Sequence, residues 1–157
     1  MIIRLANLSD SSDILEWRND PLSCAMFKNN TKVELAEHER WFKRSLSDPS
    51  KSFYLGLVAE KKIGVCRFDY DNVKTVSEVS INLNPLMRGQ NFSFHFLMAS
   101  INKYTEEHDI SLSATIKTEN KRSIHLFEKC GFEMINQNDD FYFFIRSSLK
   151  LTNQIGL

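Results

Sequence analysis

The chain has 157 residues, of which 42% are hydrophobic and 25% are charged, with only five Gly and three Pro. This length and composition are typical of one globular domain and exclude collagen-like, low-complexity and wholly disordered chains. Twenty basic and twenty acidic residues give a formal net charge of zero. Proteins that bind nucleic acids or anionic membrane surfaces usually carry an excess of Lys and Arg, so we expect neither partner.

The three cysteines, Cys24, Cys66 and Cys130, are widely spaced and form no Cys-x-x-Cys pair. This spacing predicts neither a disulfide framework nor a zinc site, and we expect no metal. The N-terminus becomes polar too soon for a signal peptide, and no apolar run reaches the roughly 18 residues of a membrane span. We therefore expect a cytoplasmic protein with reduced thiols.

The N-terminal half of the chain predicts one strand, two helices and a β-hairpin. The second helix follows Thr31-Lys32-Val33-Glu34, a pattern typical of a capping box. The two hairpin strands are separated by Glu60-Lys61-Lys62. In chain order, these predicted elements cover residues 2–5, 12–19, 35–46, 53–59 and 63–70.

The C-terminal half predicts strands that alternate with helices. Its first strand has Val79, Ile81 and Leu83 on one face and polar residues on the other. The order strand, helix, strand, helix, strand covers residues 76–83, 91–107, 112–116, 121–130 and 141–145. This order indicates an α+β fold around one mixed sheet, built by a single domain of residues 1–146 and followed by a tail at 147–157.

Two segments carry candidate chemistry, and the first covers residues 79–93. There a strand ends, a loop with Arg88 and Gly89 follows, and a helix begins. Backbone N–H groups at such a turn, together with the positive end of the helix dipole, bind phosphate well. Taken alone, the segment also fits an ordinary connection between a strand and a helix.

The second segment covers residues 119–132. Asn120 is a natural N-cap, while Ile124, Phe127 and Gly131 have the spacing of one helix face and its C-terminal stop. Taken alone, this pattern also fits an ordinary capped amphipathic helix.

In this order, the two segments resemble those of the GNAT superfamily of acyl-CoA-dependent N-acyltransferases. The first is similar to the pyrophosphate loop, Arg/Gln-x-x-Gly-x-Gly/Ala, and the second to the Asn-x-x-Ala/Ser-x-x-Leu-Tyr/Phe-x-Lys-x-Gly-Phe segment. The resemblance covers residues 2–145. It implies an α/β sandwich in which helices flank a mixed central β-sheet on both faces, an N-acetyltransferase activity, and acetyl-CoA as the co-substrate.

The resemblance also implies which residues hold acetyl-CoA. The backbone of strand 76–83 would pair with the pantetheine arm, much as a sheet edge accepts an added strand. The loop would cradle the pyrophosphate, and Asn120 would contact the pantetheine. The implied positions are Ile81, Leu83, Arg88, Gly89, Gln90, Asn91, Phe92, Ser93, Asn120 and Phe127.

Three positions depart from the family pattern. Asn91 stands where the family usually has Gly, and Ser93 where it has Gly or Ala; Asn tolerates positive φ best among non-Gly residues, and Ser is small. Phe127 replaces a Tyr thought to protonate the departing thiolate. An alkyl thiol with a pKa near the ~8.5 of cysteine leaves without much help, so we expect the loss of this Tyr to cost little activity. Tyr142 or a water molecule could take its place as the proton donor.

An attacking amine must be neutral, so a general base is needed. The candidates are His38, Glu78 and Asp69. The alternative for each is a solvated carboxylate or a hydrogen-bonded His beside the core. His38 is favoured because its ordinary pKa lies near the operating pH.

The N-terminal third resembles the GNAT branch that acetylates amino groups on nucleotide-activated sugars, including domains found with pseudaminic- and legionaminic-acid synthesis enzymes. The resemblance implies an acceptor site formed by Trp17, Arg18, Asn19, Trp41 and Arg67. Arg binds a diphosphate bidentately, and an aromatic face suits a nucleobase or sugar ring. The alternative is that the tryptophans anchor the core and the arginines form internal salt bridges.

We therefore expect direct attack of an amine on the thioester, with backbone N–H groups near Leu83 stabilising the oxyanion. The expected acceptor is a small molecule, a UDP- or dTDP-linked amino-deoxy sugar. The alternatives are a protein N-terminus or an aminoglycoside as acceptor, or a non-catalytic module that binds acyl-CoA or a nucleotide sugar. A peptide acceptor favours an acidic groove, and the sequence indicates no acidic cluster near the site. A homodimer could form through the Phe-rich final strand.

Overall fold

The computed structural model describes residues 1–148. Two short 3-10 turns, Leu8–Asp10 and Pro85–Met87, connect longer elements. In chain order, the helices and other strands are β1 (Ile2–Leu5), α1 (Ser11–Asn19), α2 (Pro21–Met26), α3 (Leu35–Leu46), β2 (Lys51–Val58), β3 (Lys61–Asp71), β4 (Val76–Leu83), α4 (Phe92–Glu107), β5 (Ser111–Lys117), α5 (Lys121–Lys129), β6 (Glu133–Gln137) and β7 (Phe141–Arg146).

The strands form one seven-stranded sheet in the order β1-β2-β3-β4-β5-β7-β6. Strands β4 and β5 run parallel, and the other neighbouring pairs of the described sheet run antiparallel. Helices α1 and α3 pack on one face and α4 and α5 on the other. The predicted mixed sheet with helices on both faces is therefore confirmed.

Each face of the sheet has its own core. The core beneath α4 and α5 is rich in Phe side chains with almost no exposed surface, namely Phe68, Phe96, Phe127 and Phe144. The smaller core on the other face joins α1 and α3 to β2 and β3 through Ile14, Trp17, Phe42, Phe53, Leu55 and Val65. The sheet is thus a two-sided scaffold, which leaves its strand ends and edges available for a site.

The sequence did not predict α2 or β6. Pro21 marks the start of α2 rather than a break, because Pro is well tolerated at the first helical position and the Asp20 side chain caps the helix by accepting from the N–H of Ser23. Strand β6 is exposed along its whole length. It therefore lacks the alternation between buried and exposed residues from which a strand is predicted.

The predicted β2–β3 hairpin is confirmed, but its turn differs from the prediction. Ala59 and Glu60 form the turn, with φ values of 47° and 63°, and β3 already begins at Lys61. The predicted capping box of α3 is wrong. Glu34 is the N-cap residue and its side chain makes no capping hydrogen bond.

The final strand, β7, does not lie at a sheet edge. It pairs with β5 on one side and with β6 on the other, so it cannot provide the predicted edge for a dimer. In the predicted tail, the N–H of Ser148 donates to the hydroxyl of Ser111 at 3.2 Å. Residues 149–157 of that tail lie outside the described part of the chain. Within residues 1–148, no helix has the length and apolar character needed to cross a bilayer.

Asp10 joins β1, β3 and the start of α1 in one charged cluster. Its buried carboxylate accepts from the two Nη groups of Arg4 at 2.7 and 2.8 Å and lies 2.7 Å from Nζ of Lys62. The N–H of Asn7 donates to the same carboxylate at 3.0 Å. The hydrogen bond from Arg4 outweighs the effect of burial and holds the pKa of Asp10 well below its ordinary value.

Asp10→Asn should lower the free energy of unfolding by about 2 kcal/mol at neutral pH, because Arg4 and Lys62 lose charge-assisted hydrogen bonds but remain partly exposed to water. The folded-state pKa is depressed, so this stabilisation is present above the unfolded pKa of ~3.9 and is lost as the pH falls through the folded pKa. Urea unfolding at about pH 7 and about pH 3 tests this sign. A difference between variant and wild type that stays constant at both pH values would contradict it.

Candidate active site

Strands β4 and β5 separate after three paired positions, of which Glu78↔Ser113 is the last. Strand β4 continues to Leu83 alongside β3, and β5 continues to Lys117 alongside β7. Because each strand follows its own antiparallel neighbour, a wedge forms between them within the described sheet. We call this wedge the β4–β5 opening; Glu78 marks its narrow end.

The edge of β4 that faces this opening carries backbone groups that pair with no strand among residues 1–148. The N–H of Asn84, just past the strand, donates to the carbonyl of Ile63 at 2.7 Å, toward β3. Backbone direction alternates along an antiparallel strand, so Asn82 also faces β3, whereas Ile81 and Leu83 direct their N–H and C=O groups into the opening. An extended ligand with amide groups can pair with such an edge.

At the wide end of the opening, the chain turns into α4 through two residues in the left-handed region. Gly89 has φ 75° and Asn91 has φ 60°. The side chain of Asn91 does not cap α4, and that of Gln90 donates to the carbonyl of Leu86 at 3.1 Å. The N–H groups of the first turn, which includes Phe92 and Ser93, are therefore left without a capping side chain. Such a helix N-terminus suits an anion.

Arg88 contributes its backbone to this loop, but its guanidinium lies elsewhere. The Nη2 atom is 2.7 Å from Oδ2 of Asp20 and donates to the hydroxyl of Ser23 at 2.6 Å. That hydroxyl donates to Oδ1 of Asn82 at 2.8 Å. The predicted contact of Arg88 with a pyrophosphate is corrected to this extent: its charge is engaged by Asp20, the cap of α2, and holds α2 against β4.

Glu78 has a positively charged neighbour on this face, Lys28, whose Nζ donates to Oε1 of Glu78 at 2.8 Å. Burial raises the pKa of Glu78, but the hydrogen bonds from Lys28 and Thr115 and the nearby charge of Arg67 more than offset this, so its pKa lies below the ordinary value. Glu78 therefore places a negatively charged carboxylate at the narrow end of the opening at neutral pH.

A cavity of about 400 Å³ opens beside Glu78, a size typical of small-molecule sites. Three of its lining side chains are carboxylates, and the lining residues are Asp69, Tyr70, Asp71, Asn72, Lys74, Val76, Glu78 and Ser113. The expectation of no acidic cluster was wrong. These carboxylates come from β3 and β4, which become neighbours only when the sheet forms.

Arg67 and Asp69 extend the polar surface of this face. Their side chains form an ion pair at 2.5 Å, and the Arg67 guanidinium lies 5.3 Å from the ring centroid of half-buried Trp41 and 5.7 Å from that of Phe53. Among the described residues, Nε of Arg67 and Oδ1 of Asp69 are buried and have no hydrogen-bond partner. Buried polar atoms without a partner are uncommon in folded proteins, so this ion pair is an unusual feature of the face.

His38 lies in the core rather than at the opening. It is 3% exposed, its Nε2 is 2.9 Å from the carbonyl of Ser11, and its ring stacks on Phe42 with centroids 5.6 Å apart. Burial lowers its pKa. His38 was favoured as the base for its ordinary pKa, but its place on α3 gives it a packing role between α3 and α1, so the structure does not support His38 as the base.

Three of the predicted acceptor residues, Trp17, Arg18 and Asn19, make packing contacts or hydrogen bonds within the N-terminal region. Trp17 is 3% exposed in the smaller core, which leaves no ring face for an acceptor. Arg18 donates to the carbonyl of Asn29 at 2.5 Å, and the amide of Asn19 donates to and accepts from the backbone of Val33 at 2.8 and 2.9 Å. Arg18 and Asn19 thus fix the segment of residues 27–34.

The remaining predicted residues lie on the α5 side of the sheet. Asn120 caps α5 by accepting from the N–H of Ser123 at 3.2 Å. Phe127 is 2% exposed and packs edge-on against Phe132 at 5.0 Å. Tyr142, on β7, is half-buried against the same core. Within residues 1–148, no group of three or more His, Cys, Asp or Glu side chains is arranged to hold a metal ion.

Sequence reasoning missed Ser23 and Lys28, which contact β4 from α2 and from the segment that follows it. It also missed Lys117, whose Nζ donates to the carbonyl of Ala25 at 2.8 Å and so ties α2 to β5. The available signal was Asp20 before Pro21, a cap followed by a favourable first helical residue.

The family model for the acetyltransferase (GNAT) domain matches residues 1–133. The chain is 28% identical over 149 residues to the acetyltransferase PseH of Campylobacter jejuni, which covers 90% of this chain and 91% of that protein. The spermidine N-acetyltransferase of Vibrio cholerae in complex with CoA and spermine has a TM-score of 0.83 at 17% identity over 97% of this chain and 98% of its own. An aminoglycoside acetyltransferase in complex with coenzyme A has a TM-score of 0.79 at 15% identity over 97% of this chain and 96% of its own.

The chain belongs to the GNAT acetyltransferase domain family, because the family model matches most of its length. It is therefore an acetyltransferase, and the family and fold predicted from the sequence are confirmed. The structural likenesses show the fold and leave the acceptor open, because enzymes named for different amines share it.

Asn91 tests how the loop before α4 keeps its shape. Because most residues pay about 1–2 kcal/mol in the left-handed region, Asn91→Ala should destabilise the protein by about 1 kcal/mol, whereas Asn91→Gly should be close to neutral. Urea unfolding of both variants measures the difference. Equal stability of the two would mean that the left-handed conformation at residue 91 is not required.

Proposed function

We propose that the chain transfers acetyl from acetyl-CoA to the primary amine of a small polar acceptor, an amino-deoxy sugar linked to UDP or dTDP. The observation that carries this proposal is the β4–β5 opening. Along it, the free backbone groups of Ile81 and Leu83 lie between an anion-binding helix N-terminus and the carboxylate of Glu78. Donor, acceptor and base therefore have separate places around one wedge.

The two ends of acetyl-CoA suit the two ends of the opening. Its pyrophosphate suits the N–H groups from Gly89 to Ser93, where the helix dipole adds positive potential. Its pantetheine amides suit the backbone of Ile81 and Leu83. In this arrangement, the thioester lies toward Glu78, and Asn120 at the start of α5 borders the pantetheine.

Glu78 acts as the general base in this proposal, in place of His38. Its carboxylate takes a proton from the acceptor ammonium, and the neutral amine attacks the thioester carbonyl. The C–N bond forms, the C–S bond breaks, and coenzyme A leaves as a thiolate that gains a proton. A backbone N–H of this edge that is not paired with pantetheine stabilises the oxyanion. Tyr142 stays a predicted proton donor to the thiolate.

Several features of the acceptor face support a sugar nucleotide. Arg67 and Asp69 keep partly exposed charged side chains on this face, and the Trp41 ring lies beside Arg67. A hydroxyl-rich ligand can hydrogen-bond to their exposed atoms, and a guanidinium suits a diphosphate. The resemblance of the N-terminal third to the sugar-nucleotide branch, and the match to PseH over 90% of the chain, point the same way.

A polyamine is the second candidate acceptor, and the acidic cavity favours it. Asp69, Asp71 and Glu78 line one side of the site, and a polyamine ammonium would be attracted to these carboxylates. The spermidine enzyme with the similar fold supports the same alternative. The two candidates differ in charge, so one assay separates them.

The full chain, mixed with acetyl-CoA and a panel of amines, should release free thiol fastest with a UDP- or dTDP-linked amino sugar. The panel includes spermidine, an aminoglycoside and a peptide with a free N-terminus. Faster release with spermidine would replace the sugar nucleotide by the polyamine. Binding of acetyl-CoA without release on any amine would contradict the enzyme proposal.

Glu78→Gln should lower kcat by about 10²–10⁴-fold, because it removes the proton acceptor but keeps the size of the side chain. The affinity for acetyl-CoA, measured by calorimetry, should change little. Glu37→Gln, at an exposed glutamate of α3, is the matched control. If Glu78→Gln retains a wild-type kcat, another group is the base.

A further inference from the structure

Lys28 brings a primary amine of the chain itself to the narrow end of the β4–β5 opening. Its Nζ lies 2.8 Å from Oε1 of Glu78. Glu78 is also the last residue of β4 that pairs with β5. The Lys28 amine therefore occupies the position beside the base that an acceptor ammonium would need.

The backbone on both sides of Lys28 is fixed. Arg18 donates to the carbonyl of Asn29, the next residue, and its guanidinium lies 4.2 Å from the ring centroid of Phe27, the preceding residue. Asn19 holds the far end of the segment of residues 27–34. The Lys28 side chain itself is mostly exposed. A fixed backbone that holds an exposed amine beside a carboxylate positions that amine as a nucleophile.

We propose that this site acetylates Lys28 of its own chain when no acceptor is bound. The proposal rests on the proposed function, because the acetyl donor is the same acetyl-CoA. Glu78 accepts one proton from the Lys28 ammonium, and the neutral amine attacks the thioester carbon. The C–N bond forms, the C–S bond breaks, and the second proton passes from nitrogen to the departing thiolate. The products are Nε-acetyl-lysine, coenzyme A and one proton.

Self-acetylation competes with turnover. An exposed ion pair such as Lys28–Glu78 adds little stability, so an acceptor ammonium can displace the lysine from the carboxylate. Acetylation then removes the Lys28 charge and ends that ion pair permanently. Lys28 is therefore the substrate of the site only while the acceptor is absent.

The test is incubation of the full chain with acetyl-CoA alone, followed by intact-mass measurement and peptide mapping. We expect one acetyl group at Lys28. The first-order rate constant for its addition should be independent of protein concentration. Lys28→Arg should abolish the modification, whereas Lys32→Arg, at an exposed lysine of the same segment, should leave it unchanged. Glu78→Gln should slow it by about 10²-fold or more.

Acetylation spread over exposed lysines, at the same rate in Glu78→Gln, would be non-enzymatic and would overturn the inference. A first-order rate constant that rises with protein concentration would indicate transfer between chains and would also overturn the inference. If the amine panel releases thiol while Lys28 stays unmodified in acetyl-CoA alone, the self-acetylation fails and the proposed function stands. If neither thiol release nor modification occurs, both fail together.

Discussion

The parting of β4 from β5 is the constraint on which the site depends. A strand edge inside a sheet normally pairs its backbone groups, because unpaired N–H and C=O groups away from water are costly. Past Glu78, β4 no longer pairs with β5, and the backbone N–H and C=O groups of Ile81 and Leu83 face the β4–β5 opening. Solvent or an amide-bearing ligand must satisfy these groups, so the opening is stable when hydrated and suited to a ligand such as pantetheine.

The two-residue period of β4 separates the chemistry on its two sides. The side chains of Val79, Ile81 and Leu83 pack toward the core beneath α4 and α5, whereas Glu78 and Asn82 point to the face that carries α2. One strand thus supplies backbone groups in the plane of the sheet and a carboxylate above it. A one-residue slip in register would turn the carboxylate into the core, so the register of β4 also fixes the face on which Glu78 lies.

Local patterns predicted the elements whose signals lie within a few residues. The alternation of β4, the Asn120 cap and the left-handed Gly131 all appear in the structure where they were expected. The burial of individual side chains and the pairing of strands far apart in the sequence were not predictable from local patterns. Helical spacing placed His38 on the inward face of α3, but only the packed fold shows that Ser11 and Phe42 enclose it. The acidic cavity likewise depends on which strands become neighbours.

The hydrogen-bond chain from Arg88 through Ser23 to Asn82 has a further implication for the loop before α4. The loop before α4 and helix α2 share one guanidinium, that of Arg88, which lies 2.7 Å from Oδ2 of Asp20. Arg88 therefore ties the position of this loop to that of α2. A substitution of Arg88 alters the seating of α2 as well as the loop, so it cannot report on phosphate binding alone. Gly89 does not separate the two effects either: its added Cβ would meet no atom within 4 Å, but its φ of 75° would strain any side chain and so disturb the loop itself.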